Sequence, residues 1–198
     1  MDEDQRAVHE PGQRRAAREE MSDAPAGMGR VARFVAAIDT VALWSGRAVS
    51  WMLIPMVASL VYEVGARYLF NAPTTWAYDM TYMLYGSFFM LGSAYTLMRK
   101  GHIRTDMFYA DWSVRTQGTV DAVCYLLFFF PAMIAFLAVG WDFFWTSWVR
   151  EERMVTSPWM PIVWPFKLSI PLATALMLLQ GVSEFVKSVV AARRGVWL

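Results

Sequence analysis

Charge-free apolar runs divide the chain. Ala48 to Tyr62 carries no charge, and the run continues through Glu63 to Ala66. Met80–Met98 lies between Asp79 and Arg99, Ala122–Trp141 between Asp121 and Asp142, and Leu168–Ser183 between Lys167 and Glu184. A bilayer core needs about 20 mostly apolar residues per helix. The pattern therefore predicts an all-α integral membrane protein with four transmembrane helices, over residues 48–66, 80–98, 122–141 and 166–186. Barrel strands would alternate in polarity at every second residue, and these runs do not. Upstream, Val31, Phe34, Val35, Ile38, Val41 and Ala42 share one helical face, with Arg30, Arg33 and Asp39 interspersed. This spacing predicts an N-terminal amphipathic helix in the cytoplasmic interface, whose apolar face could equally take a partner helix. Pro55 and Pro131 fall inside spans one and three, where each removes a backbone hydrogen bond and should kink its helix. Pro171 is expected near the start of span four, where a first turn tolerates it.

The loops are short, so residues 30–190 read as one four-helix domain. Residues 1–29 read as a disordered cytoplasmic tail and residues 191–198 as a cytoplasmic C-terminal tail. The first 28 residues are rich in charge and contain Pro11, Gly12, Pro25 and Gly27. No apolar run follows Arg14-Arg15 closely enough for a twin-arginine signal, and Met21 or Met28 is an alternative start.

Composition strengthens the membrane reading. Of 198 residues, 57% are hydrophobic and 16% aromatic; only 18% are charged, against about 25% for a soluble domain. Mean hydropathy is +0.31. A soluble enzyme is not expected from this balance. A single Cys excludes an intramolecular disulfide and multi-cysteine metal sites. The two histidines, His9 and His102, lie outside every span, which leaves no axial pair for a haem and little for a metal cage. A net charge of +1 offers no basis for nucleic-acid binding. Neither cofactor nor metal is expected.

Lys and Arg also set the topology. One side of the bilayer would hold only Arg67, Arg150, Arg153 and Lys167; all the others fall on the opposite side. The positive-inside rule then places both termini in the cytoplasm. Trp141, Trp145, Trp148, Trp159 and Trp164 gather on the outer side. They read as an aromatic belt, with a docking surface as the second reading, since the first three share one helix face.

Candidate chemistry is sparse. Glu63 and Arg67 are four residues apart and can pair along the helix; a proton or ion site is the competing role for Glu63. Asp79 and Glu184 are expected at interfacial helix ends, and Cys124 as a small core hydrophobe. The span midplanes carry Met, Leu, Phe and Ala, which argues against a chain that moves a polar solute alone. Gly86 and Ser93, and Ser87 and Ala94, form a small-residue stripe where another helix, of this chain or a partner, could approach.

Three blocks carry a resemblance. The first is Arg67-Tyr68-Leu69-Phe70-Asn71-Ala72-Pro73, followed by Trp76 and Asp79. The second is Gly92, Ala94 and Tyr95, then Gly101-His102-Ile103-Arg104-Thr105-Asp106. The third is Ser157-Pro158, Trp164-Pro165-Phe166-Lys167, Ile170-Pro171 and Leu179-Gln180-Gly181. In this order, over residues 34–190, they resemble the small membrane (DctQ-type) subunit of tripartite ATP-independent periplasmic (TRAP) transporters. Asp79 stands where Glu is commoner and Thr105 where an apolar residue is usual. The third block is similar to the mannitol/chloroaromatic subgroup. The resemblance implies a non-catalytic inner-membrane subunit that scaffolds a large elevator-type membrane subunit, with a periplasmic binding protein delivering an organic acid and sodium coupling residing in the large subunit. It makes Arg67, Tyr68, Phe70, Asn71, Trp76, Asp79, Gly92, His102, Asp106, Trp164 and Lys167 candidate interface or motif residues. Arg67, Asn71, Trp76 and Asp79 read either as an ordered outer turn near the partner or as the cap of span two. His102 and Asp106 could pair with each other or with the large subunit. The competing functions are a stand-alone small carrier and a membrane anchor of a redox complex.

Overall fold

The computed structural model describes residues 26–99 and 112–197. Helix α1 runs over Ala26–Ser50, α2 over Leu53–Leu69 and α3 over Ala77–Met98. Helix α4 (Val114–Cys124) continues through a π-helical segment, Tyr125–Phe129, into α5 (Phe130–Val149). The last helix, α6, is Trp164–Arg194.

Proline chemistry sets the breaks. Pro55 has no N–H, and its ring stands against the carbonyl of Trp51. The chain tightens there: the Trp51 and Met52 N–H groups donate three residues back, to Ala48 O at 3.3 Å and Val49 O at 2.9 Å. The expected kink is thus the α1–α2 junction, and α2 starts at Leu53. Ahead of Pro131 the helix widens instead. The Phe130 N–H reaches back five residues to Tyr125 O, and the π turn absorbs the bond that Pro131 cannot make. In α6 the first-turn proline is Pro165, because the helix begins at Trp164. Pro171 lies in the helix interior, correcting its expected first-turn position.

Left-handed residues end α2, α5 and α6: Asn71, Glu151 and Gly195. Asn71, at φ +49°, follows α2, and the Ala72 N–H closes the turn onto Ala66 O at 2.9 Å. Asn tolerates this conformation better than most residues. Gly195, at φ +73°, ends α6, which runs past the expected boundary at 190. The loop from 150 to 163 is a tight hairpin: Arg153 bridges Ile162, and the Met154 and Val163 N–H groups donate to Pro161 O and Glu152 O at 3.0 Å each.

Helix α6 is the hub. It packs on α3, α4 and α5 and also meets α1; α3 in turn packs on α1 and α2. Glycine permits the closest crossings. A Cβ on Gly118 would lie 2.5 Å from Ala192 N and 2.6 Å from Ser188 O, so α4 and α6 touch backbone to backbone. On α3, Ser87 and Ala94 are buried and Gly86 lies against Phe166, so this chain's own helices fill that part of the small-residue stripe.

The amphipathic face of α1 is also partly occupied. Val35, Ile38 and Ala42 are buried, while Phe34 and Val41 stay exposed. Asp39, interspersed among these residues, bonds to α6. Cys124 is exposed, correcting its expected core position. An apolar outer surface uses the same residue types as a core.

The distribution of polarity is inverted relative to a soluble globule. Among the described residues, buried polar side chains outnumber buried apolar ones, and Trp51, Ile54, Val61, Phe89, Phe128 and Val139 face outward. Such a surface is solvated by lipid chains, while polar groups gather between helices. Three described stretches are long and apolar enough to cross a membrane: 29–69, 114–149 and 164–194. Helix α3, the expected span two, has 22 residues, about 33 Å of helix. It is not among the three, because Tyr, Thr, Ser and Gly interrupt its apolar residues.

Candidate functional site

Four polar ties hold the bundle. The first joins α2 to the turn before α3. Glu63 accepts hydrogen bonds from the Arg67 guanidinium, with Nε at 2.9 Å, and from both the Thr74 hydroxyl and its backbone N–H, the latter at 3.0 Å. Beside it the Tyr62 and Trp76 rings meet at 5.6 Å between centroids. The charge of Glu63 is therefore met within the hairpin, which fits the pairing reading rather than an open ion site.

The second tie is at the start of α3. Asp79 is 7% exposed, and the Ser157 hydroxyl donates to its Oδ2. Ser157 also accepts from the Trp159 N–H at 3.2 Å, so this bond anchors the 150–163 hairpin. Asp79 is buried in the first turn of α3, at a helix end as expected. Between α3 and the hairpin lies a cavity of about 600 Å³, lined by Asp79, Tyr78, Tyr82, Thr75, Thr156 and Ser157 among others.

The third tie crosses the hairpin. Lys167 Nζ meets Glu152 Oε2 at 2.5 Å and lies 3.8 Å from the centroid of the Phe143 ring. The Lys167 ammonium holds the Glu152 carboxyl below the ordinary carboxylate range. An aromatic ladder leads into this corner: Trp141 stacks on Trp145 at 6.4 Å, Phe144 meets Trp148 at 6.2 Å, and Trp148 meets Trp164 edge-on at 4.3 Å.

The fourth tie binds α1 to α6. Asp39 Oδ1 accepts from Gln180 Nε2 at 2.9 Å and Ser183 Oγ at 2.8 Å, and Asp39 Oδ2 from Lys187 Nζ at 2.8 Å. Lys187 also meets Glu184 Oε1 at 2.7 Å. Gln180 Oε1 has no hydrogen-bond partner among the described residues. Glu184 is 3% exposed and lies inside α6, which continues to Arg194.

The sequence model described as "Tripartite ATP-independent periplasmic transporters, DctQ component" matches residues 56–191. The chain belongs to the DctQ family. It is thus a membrane component of a TRAP transporter, which agrees with its apolar exterior. No curated protein matches it.

The DctQ match begins inside α2, so it contains three of the ties whole and only the α6 half of the fourth. Of the motif residues, Arg67 and Trp76 join the first tie, Asp79 makes the second, and Trp164 and Lys167 make the third. Asn71 ends α2. Tyr68 and Phe70 point outward, 78% and 77% exposed, with Leu69 between them at 79%. Gly92 also faces open space, since a Cβ there would meet nothing within 4 Å. His102 and Asp106 lie outside the described residues. Among the described residues no group of three or more His, Cys, Asp or Glu is placed to hold a metal ion.

Sequence reasoning missed Thr74, Glu152, Asp39, Gln180, Ser183 and Lys187. Four of them had a readable signal. Asp39 is spaced i+4 from Val35 and i−3 from Ala42, which puts it on the buried face. Gln180, Ser183, Glu184 and Lys187 fall at i, i+3, i+4 and i+7, a polar stripe along one side of α6. Thr74 and Glu152 carry no such pattern, because a loop partner is set by how the loop folds.

Proposed function

We propose that this DctQ chain is the static small subunit of a heteromeric, ion-coupled importer. It scaffolds a large elevator-type subunit that moves an organic acid with sodium, and a periplasmic binding protein delivers the substrate. In this reading α3 is a fourth span beside the three apolar stretches. Both termini are cytoplasmic, and the chain belongs with the mannitol/chloroaromatic subgroup. One observation carries the scaffold role: three sets of charged side chains close on one another within the bundle. Glu63 is met by Arg67, Lys167 by Glu152, and Asp39 and Glu184 by Lys187. A conduit keeps its intramembrane charges exchangeable with solute or water; a scaffold uses them as fasteners. The exposed Tyr68, Leu69 and Phe70, and Gly92 with its open surroundings, supply a surface for the large subunit.

The test is co-purification of the chain, tagged at its C-terminus, from its native membrane in mild detergent, followed by mass identification. A stoichiometric large multi-span partner is expected. A folded chain that emerges alone, and supports solute flux when reconstituted, would overturn the scaffold reading.

A further inference from the structure

Asp79 differs from the other buried acids. Glu63 carries Arg67 and Glu184 carries Lys187, but Asp79 has no cationic partner among the described residues. Its Oδ2 is held by Ser157, and no donor is placed on Oδ1. A buried carboxylate without a counter-charge is costly in a medium of low dielectric. Its place in the first turn of α3 offsets part of that cost through the helix dipole. The carboxylate also forms part of the wall of the 600 Å³ cavity, a size typical of small-ligand sites. The rest of that wall is rich in hydroxyls: Thr75, Tyr78, Tyr82, Thr156 and Ser157. Among the described residues, no Lys, Arg or His lines it. The cavity is therefore built for a cation with a polar neighbour.

A second feature says where that cation comes from. Tyr78, Tyr82, Tyr85 and Phe89 are exposed by 75%, 51%, 57% and 69%. They fall at i, i+4, i+7 and i+11, one straight stripe that leaves the cavity and runs down α3 for about 16 Å. A lysine reaching in from a protein partner has no use for such a track, but an acyl chain does. Tyrosine at the top of the stripe suits the head-group level of a bilayer.

We propose that this cavity is a head-group site for a phospholipid bearing a primary ammonium, with the ammonium on Asp79, the phosphodiester among the Thr75 and Thr156 hydroxyls, and one acyl chain along Tyr82, Tyr85 and Phe89. The inference rests on the reading of α3 as a membrane span with its N-terminal end at the outer surface. A primary ammonium offers three N–H donors to the carboxylate and to the Ser157 and Tyr oxygens. A choline head group keeps the charge and offers none. A glycerol head group has hydroxyls but no cation.

The test is lipid binding to the purified full chain by native mass spectrometry, titrating phosphatidylethanolamine, phosphatidylcholine and phosphatidylglycerol of identical acyl chains. Phosphatidylethanolamine is expected to bind about tenfold more tightly than either of the others, the scale of one charge-assisted hydrogen bond. Asp79→Asn should bring the three to parity. Thr156→Trp, a change at an exposed wall position, should do the same by filling the cavity, and it serves where Asp79→Asn fails to fold. Parity in the unmodified chain, or a preference that survives Thr156→Trp, overturns the proposal.

Carbodiimide treatment of native membranes separates the two sources of an amine. An ethanolamine-lipid amide on Asp79 supports the proposal, and a cross-link to a partner protein's lysine overturns it. Lipid retained without selectivity defeats this site alone, whereas a chain that retains no lipid of any kind defeats the membrane-span reading beneath it.

Discussion

Asp39 shows how much one side chain can do in this bundle. Its carboxylate joins three α6 side chains, so its removal leaves Gln180, Ser183 and Lys187 without a shared partner at a half-buried site. Asp39→Ala is expected to destabilise the chain by about 1–3 kcal/mol, read as a lower thermal midpoint by tryptophan fluorescence in detergent. Asp39→Asn should cost less, because Lys187 keeps Glu184. Equal loss in both variants would mean that the charge, not the hydrogen bonding, is what matters. Glu152 makes a pH prediction. Its folded pKa is depressed by Lys167, so its contribution to stability is present above the unfolded carboxylate pKa, about 4.3, and is lost as pH falls through the lower folded value. The difference in thermal midpoint between the unmodified chain and Glu152→Gln should be constant from pH 7 to about 5 and shrink below the ordinary carboxylate range. A difference that grows on acidification would contradict this assignment.

At the scale of elements, backbone contact between α4 and α6 is the sharpest constraint. Gly118→Ala places a methyl group against Ala192 N and Ser188 O, neither of which can rotate away. The helices must separate, at an expected cost of about 1–3 kcal/mol. Gly92→Ala is the internal control. Its surroundings are open, so the change should be neutral or stabilise the folded chain by up to about 1 kcal/mol through helix propensity. The same Gly92→Ala variant reports on assembly: weaker co-purification of the large subunit without any loss of thermal midpoint would locate a partner helix on that face. The prolines of the spans act at this scale too. One and the same deficit, a missing N–H, produces a helix break at Pro55 and a π turn before Pro131. The difference follows from whether the helix can widen ahead of the ring or must tighten and restart.

At the scale of the whole molecule, topology is the quantity to measure. In a Cys124→Ser background, Val155→Cys should react with a membrane-impermeant maleimide from the periplasmic side and Val196→Cys only after the membrane is opened, since both positions are exposed. The reverse pattern would invert the bundle. The sequence by itself determined that the chain is helical and membrane-embedded, where its apolar runs lie, and, through short motifs, which family it resembles. These are properties of period, composition and local order, and lipid reads them residue by residue. It also placed the Glu63–Arg67 pair, because i, i+4 spacing on one helix is local. Only the tertiary structure decided that Asp39 fastens α1 to α6, that Lys167 reaches Glu152, that Asp79 is buried beside a cavity, and that Cys124 faces outward. In a membrane the outer surface and the core draw on the same apolar residues, so hydropathy alone cannot tell them apart. Which polar side chains meet is set by the packing of helices far apart in sequence, and that packing is decided by small residues whose pattern names a close approach but not the partner.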